Sequence, residues 1–363
     1  MSIEDHIQSL GNQLFESARE YSEEASWIDK LVTLTTRDES FRVQALRFID
    51  VLPSLEDDIS LTRHLQSYFG PLKLPLPELA RWGLDHSDEP WLAHVAAPLT
   101  RFTIRGLSRK FMGGQTTAEA MNTLKKLRSR GMNASLDILG EATINEKEAE
   151  SYQQAYLDLI SDIATEVTQW PHDPQLDTMF DRVLPRLNIS LKPSSLYSQI
   201  DGVDYKGSQR AILKRLYPII ESAREHNAFV MIDMEQYDYK RITLNVFGQL
   251  LADKAYSDWP NIGIAIQAYL KDAPEDLATL ADTLARRDAP ATVRLVRGAY
   301  WDYETVIAEQ NNWDTPVWSI KQNTDANFER CLDFLLARSD RFDTAVASHN
   351  IRSLAATMAL AEH

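Results

Sequence analysis

Disulfide chemistry is closed to this chain from within, because Cys331 is its only cysteine. Basic residues are also in the minority: 38 Lys and Arg stand against 53 Asp and Glu, for a formal net charge of -15. Such a balance excludes a general polyanion-binding surface, which would be basic overall or over one face, so no nucleic-acid partner is expected. No uninterrupted apolar run reaches the roughly 18 to 20 residues that cross a bilayer, and any membrane contact is expected to be peripheral. The first residues carry no basic stretch followed by an apolar core, the mark of a secretory signal. With the lone cysteine, this points to a reducing, cytoplasmic setting. Internal repeats, His-x-His and His-Glu-x-x-His are lacking as well, so neither a solenoid nor a metal site is expected.

What is present begins with helices. Ile3, Ile7, Leu10, Leu14 and Ala18 recur at helical spacing. After Trp27 to Val32, a second stripe of Phe41, Ala45, Phe48, Ile49 and Leu52 ends at Pro53. Prolines 71, 75, 77, 90 and 98 then punctuate short helices up to about residue 112. We read residues 1–112 as a helical arm and helical domain, and 113–363 as the main domain. That domain opens with a helix capped at Thr116 and closed by Gly131.

From Met132 the pattern alternates between strand and helix. Strands are predicted at Ala134–Leu139, Leu187–Leu191, Phe229–Asp233, Ile262–Ala268, Val293–Arg297 and Thr344–Ser348. Helices are predicted from Asn145, whose Glu148 three residues on completes a capping box, and over about 208–226, 239–255, 274–287 and 324–338. Serial βα units imply a parallel sheet. An open dinucleotide-binding sheet would carry Gly-x-Gly-x-x-Gly after its first strand, and this chain does not. Polar residues instead gather at strand carboxyl ends: Asp137 and Glu141, Lys192, Asp233 and Glu235, Gln267, Arg294 and Arg297, His349 and Asn350. A TIM-type barrel collects its catalytic groups there.

Several chemistries fit these residues. Lys192 could pair with Asp233 as a core ion pair, form a Schiff base, or hold a substrate carboxylate. Gln267 lies in an apolar strand, where an amide must find partners or cost about 1 to 3 kcal/mol, and a heteroaromatic ring would supply them. His349 could serve as a base, a ligand or a donor.

Ile189 to Leu196, Ile232 to Glu235, Gln267 to Tyr269, Val293 to Asp302 and Ala347 to Asn350, in this order, resemble the proline dehydrogenase barrel. Phe41 to Pro53 and Leu136 to Ala142 are similar to the bifunctional proline utilization A proteins within that family. The resemblance implies a distorted (βα)8 barrel that binds FAD and oxidises L-proline to Δ1-pyrroline-5-carboxylate, with hydride passing to flavin N5 and electrons to a membrane quinone. It implies Lys192 for the substrate carboxylate, Asp233 for ordering the site, and Tyr300 against the proline ring. Arg294 and Gln267 would contact the flavin, with Gly298, Ala299, Trp301, Lys321, Ser348, His349 and Asn350 around the rest of FAD. Glu141 and Asp137 match the first barrel loop, whose acidic residue gates the site in the family. NAD would enter only with a further aldehyde-dehydrogenase domain, and homo-oligomerisation is compatible with the arm.

The match has departures. The family's last strands and final helix, with an arginine pair and a tyrosine for the substrate, have no counterpart before His363, so the chain is expected to be incomplete at its C-terminus and to bind proline poorly alone. Pro193 stands where a small residue is usual, and Ser319 where threonine is. A Schiff-base lyase using Lys192, another flavin-barrel reductase, and an interaction protein built on the arm are the competing readings.

Overall fold

The computed structural model describes residues 2–20, 38–51, 58–70, 112–140, 142–180 and 182–362. Glu141, Trp27 to Val32, Leu52 with Pro53, and the proline-punctuated stretch over 71–111 lie outside the described residues. The chain divides into two compact units, residues 1–18 with 121–363 and residues 19–120. In the second, α2 (Glu39–Val51) meets α3 (Asp58–Phe69) through Phe48, Leu61 and an edge-to-face contact of Phe48 with Phe69, ring centres 5.4 Å apart.

The first unit holds one six-stranded parallel sheet: β1 (Ser135–Asp137), β2 (Leu187–Leu191), β3 (Ala228–Ile232), β4 (Ile262–Gln267), β5 (Ala291–Val296) and β6 (Phe342–Val346). Spatial order equals sequence order. A doubly wound sheet reverses its strand order at a switch point, whereas right-handed crossovers without reversal put every helix on one face and curve the sheet as in a TIM-type barrel. The ring outside is α5 (Glu146–Val167), α6 (Tyr205–Glu225), α7 (Tyr237–Ala252), α8 (Ala273–Leu284), α10 (Lys321–Leu336) and α11 (Ile351–Ala361), each packed on the next. The helix α4 (Thr117–Arg128) leads into β1, and α9 (Trp301–Asn311) intervenes between β5 and α10.

Side-chain alternation decides what faces the helices. Ile189, Leu191, Val230, Ile232, Ile264, Ile266, Val293 and Leu295 are all buried in the main core, one strand period apart. The opposite face carries Asn188, Ser190, Met231, Gly263, Thr292 and Arg294. The register aligns Asp137 with Ser190, Ser190 with Met231, and Ala265 with Arg294. One step above this tier, Lys192 and Asp233 extend β2 and β3 on the same face.

The expected cap at α5 is present in altered form: Asn145 accepts from the Glu148 amide at 3.0 Å, while Glu148 reaches back one residue beyond the N-cap and accepts from the Ile144 amide at 2.9 Å. The first helix, α1 (Ile3–Glu20), lays Ile7, Leu10 and Leu14 on Ala355, Ala356 and Ala359 of α11. Arg352 fixes that contact by bonding both Glu4 and Glu329.

Candidate active site

The carboxyl edge of the sheet brings Asp137, Lys192, Asp233 and Arg294 into one ionic cluster. Lys192 leaves β2 in extended backbone, and Pro193 then opens the short 3-10 turn Pro193–Ser195, where its fixed φ suits the first position. The Lys192 ammonium lies 2.6 Å from Asp137 and 3.6 Å from Asp233. Asp233 also bonds the Arg294 guanidinium and accepts from Ser190 Oγ at 2.7 Å. Two cations therefore face each other across one carboxylate, with a second carboxylate at the side. Burial holds the Asp137 carboxyl above the ordinary range even though Lys192 favours its charge.

A buried clasp sets the loops above the strands. Glu235 is buried and accepts from both the amide and the hydroxyl of Ser194, while Thr143 donates its amide and its hydroxyl to the Ser194 carbonyl at 3.3 and 3.2 Å. These bonds tie the loops after β1, β2 and β3 together two residues beyond Lys192, and so fix its backbone.

Gln267, 2 % exposed at the end of β4, donates to the Met234 carbonyl at 3.3 Å. Its Oε1 is buried and has no partner among the described residues. Such an acceptor can take an N–H or O–H donor from a bound group or from water. Gly298 has φ +134°, and a Cβ there would stand 2.3 Å from the Tyr269 ring, so only glycine permits this turn after β5. The turn delivers half-buried Tyr300 to the start of α9, exposed Ala299 beside it, and Trp301, whose indole donates to the Trp318 carbonyl at 2.9 Å.

Around β6, Arg297 bonds Asp325 at 2.9 Å, Ser348 at 2.7 Å and Ser353 at 2.7 Å, and it covers the Phe328 ring. Lys321 meets the same Asp325 at 2.5 Å. Asn350 caps α11 by accepting from the Ser353 amide, and His349 is exposed next to it. The structure thus gathers Asp137, Lys192, Asp233 and Arg294 directly, groups Lys321, Ser348, His349 and Asn350 around β6, and places Gln267 on β4. Glu141 lies outside the described residues. Arg297, Glu235 and Ser194 lay within stretches that carry the resemblance but had no assigned role there, and the partners Asp325 and Ser353 carried no signal. Among the described residues, no group of three or more His, Cys, Asp or Glu could hold a metal ion, and no helix is long and apolar enough to cross a membrane.

The cluster can fix an anion at Lys192 and presents a second cation, Arg294, while Gln267 ends the strand β4 that lies between β3 and β5. The chain as a whole is similar to known proteins of one family. The family model described as proline dehydrogenase matches residues 120–363, and that of the proline utilization A N-terminal domain matches residues 3–111. The bifunctional protein PutA of Escherichia coli (strain K12) is 29% identical over 321 residues, which cover 87% of this chain and 22% of that protein. Proline dehydrogenase 1 of Bacillus subtilis (strain 168) is 30% identical over 257 residues, 70% of each chain. The crystal structure of proline utilization A from Bdellovibrio bacteriovorus inactivated by N-propargylglycine superposes with a TM-score of 0.88 at 35% identity, over 99% of this chain and 36% of that one. The chain therefore spans about a fifth of the length of the curated PutA relative.

Proposed function

Because the chain belongs to the proline dehydrogenase family, we propose that it carries the proline-oxidising part of a proline utilization A enzyme, converting L-proline to Δ1-pyrroline-5-carboxylate with FAD and passing the electrons to a membrane quinone. The observation that carries this reading is the pair of cations, Lys192 and Arg294, facing each other across Asp233 at the carboxyl edge of the sheet. The unpartnered Gln267 Oε1 fits a flavin, whose ring edge offers an N–H donor. FAD supplies the hydride acceptor for the carbon next to the proline nitrogen.

The chain's own residues supply position and charge. Lys192 holds the substrate carboxylate, and the clasp of Glu235 on Ser194 keeps that lysine in place. Asp233, bonded on three sides, sets the distance between Lys192 and Arg294. Arg294 would place a fixed positive charge beside the flavin, where it would favour an electron-rich ring. Tyr300 packs on the proline ring, and Gly298, Ala299, Trp301, Lys321, Ser348, His349 and Asn350 surround the rest of the cofactor. No general base is needed when proline binds with its nitrogen deprotonated. A cytoplasmic enzyme that meets the inner membrane face through its surface suits the quinone acceptor.

The test is an absorbance spectrum of the full-length protein containing this chain, before and after L-proline without an electron acceptor. We expect the visible flavin band to bleach. A protein that stays colourless with added FAD, or a band unchanged by proline, would overturn the reading. Borohydride trapping of a carbonyl substrate on Lys192 would favour a Schiff-base lyase instead.

A further inference from the structure

The charge of Lys192 is already taken. Its ammonium lies 2.6 Å from Asp137 and 3.6 Å from Asp233, yet the two carboxylates differ in what they would keep if the lysine turned away. Asp233 would retain Arg294 and Ser190. Among the described residues, Lys192 is the only ion-pair partner of Asp137.

We infer that Asp137 is a resident stand-in for the substrate carboxylate: it engages Lys192 when no carboxylate ligand is bound, is displaced when one binds, and takes up a proton from solvent as it leaves. The inference rests on the reading of Lys192 as the carboxylate anchor and adds to it the competitor that sets its affinity.

The surroundings of Asp137 give the direction of the proton. The charged and titratable groups facing it are Lys192 from β2, Asp233 from β3, Arg294 from β5 and the Tyr156 phenol from α5. Burial pushes the Tyr156 phenol well above its usual range, so it stays neutral and offers no counter-charge. Arg294 is engaged by Asp233. Once Lys192 turns to a ligand anion, Asp137 faces Asp233 and the new carboxylate with no cation of its own, and the neutral acid becomes the favoured form. Burial already holds this carboxyl above the ordinary range with Lys192 in place. One proton enters per ligand bound, and no covalent bond changes. By linkage, a ligand that raises a group's pKa binds more tightly as pH falls through that group's titration.

The experiment is calorimetry of cyclopentanecarboxylate, an unreactive ring carboxylate, binding to the full-length flavin-loaded protein in two buffers of different ionisation enthalpy. We expect buffer-dependent heat that reports proton uptake, and affinity that weakens several-fold as pH rises above the carboxylate range. Asp137→Asn should bind the same ligand at least several-fold more tightly at alkaline pH, with no proton uptake. Binding without proton uptake in the unmodified protein would overturn the inference, as would a folded Asp137→Asn protein that binds no more tightly. If that variant does not fold, the proton count of the unmodified protein decides alone. Failure of the functional reading looks different: neither the ring carboxylate nor L-proline would perturb the flavin, and no binding heat would be seen in either buffer.

Discussion

At the amino-terminal end of the sheet, Asp177 is 1 % exposed, and its oxygens take Arg128 at 2.6 and 2.9 Å, Arg186 at 3.1 Å and the Asp173 amide at 3.0 Å. At the carboxyl-terminal end, the Asp137 side chain is 32% exposed and, among the described residues, has Lys192 as its one ion-pair partner. Burial opposes charge on both. At Asp177, Arg128, the amide and Arg186 together outweigh it and hold the carboxyl at about 2. At Asp137 burial prevails and the carboxyl rises. Arg186 also caps the end of α5 through the Val167, Thr168 and Trp170 carbonyls, so the whole lower cluster is closed on itself. A fully matched carboxylate is a fastener, and an undermatched one is available to a ligand. The barrel keeps the first kind below and the second above, as its architecture leads one to expect.

The largest effects should split along this line. Asp177→Ala leaves two partly buried guanidinium groups without their anion and should cost about 3 to 5 kcal/mol of stability in denaturant unfolding. The KM for L-proline of the protein that remains folded should be unchanged. Lys192→Met should do the reverse: kcat/KM falls roughly 100- to 1,000-fold, about 3 to 4 kcal/mol of transition-state binding, while the thermal midpoint moves by only a few degrees. A Lys192→Met protein that unfolds early with normal turnover would show that the upper cluster is a fastener too.

Acid titration should separate the ends by sign, at about 2 kcal/mol each. The Asp177 carboxyl has its folded value, about 2, below the unfolded one, so its contribution is complete above the ordinary carboxylate range and is lost as pH falls towards 2. Asp276, near the start of α8 at the upper end, is pushed by burial to about 6 in spite of Lys240 at 2.8 Å. Its folded value lies above the unfolded one, so it destabilises the fold above pH 6 and this penalty is relieved as pH falls below 6. Comparing unfolding of the unmodified protein with Asp276→Asn and Asp177→Asn across this range checks both signs: Asp276→Asn should be stabilising at pH 7 and neutral in acid, Asp177→Asn destabilising at pH 7 and less so near pH 2.

Why one end was easier to read than the other follows from distance along the chain. The strands were legible because Ile189, Leu191, Val230 and Ile232 repeat with a period of two, and Lys192 and Asp233 stood out as charges ending apolar runs. Asn145 and Glu148 announced α5 because their partners are three residues apart. Arg297 could not be assigned, since Asp325, Ser348 and Ser353 lie 28, 51 and 56 residues away. The preference of Lys192 for Asp137 over Asp233 was hidden for the same reason, being fixed by strand packing 55 residues apart. α9 went unread because its apolar residues form no single stripe; Tyr303 and Val306 are exposed while Ala308 is buried. The lower fasteners Asp177 and Arg186 lie in a turn-rich stretch with no periodic pattern to mark them.

The finest test of the contrast is Ser190→Ala. Ser190 is buried below the cluster, and its hydroxyl donates to Asp233 at 2.7 Å, holding the carboxylate that separates Lys192 from Arg294. Removing it leaves Asp233 both cations, so the loss is one hydrogen bond of about 1 kcal/mol and little cavity. If the upper cluster is tuned for a ligand, that loss should appear as a several-fold rise in the KM for L-proline, because a looser Asp233 lets Lys192 stray from the carboxylate position. The thermal midpoint should stay within a few degrees. An unchanged KM with a clearly lowered midpoint would place Ser190, and the carboxylate it holds, with Asp177 among the groups that only fasten the barrel.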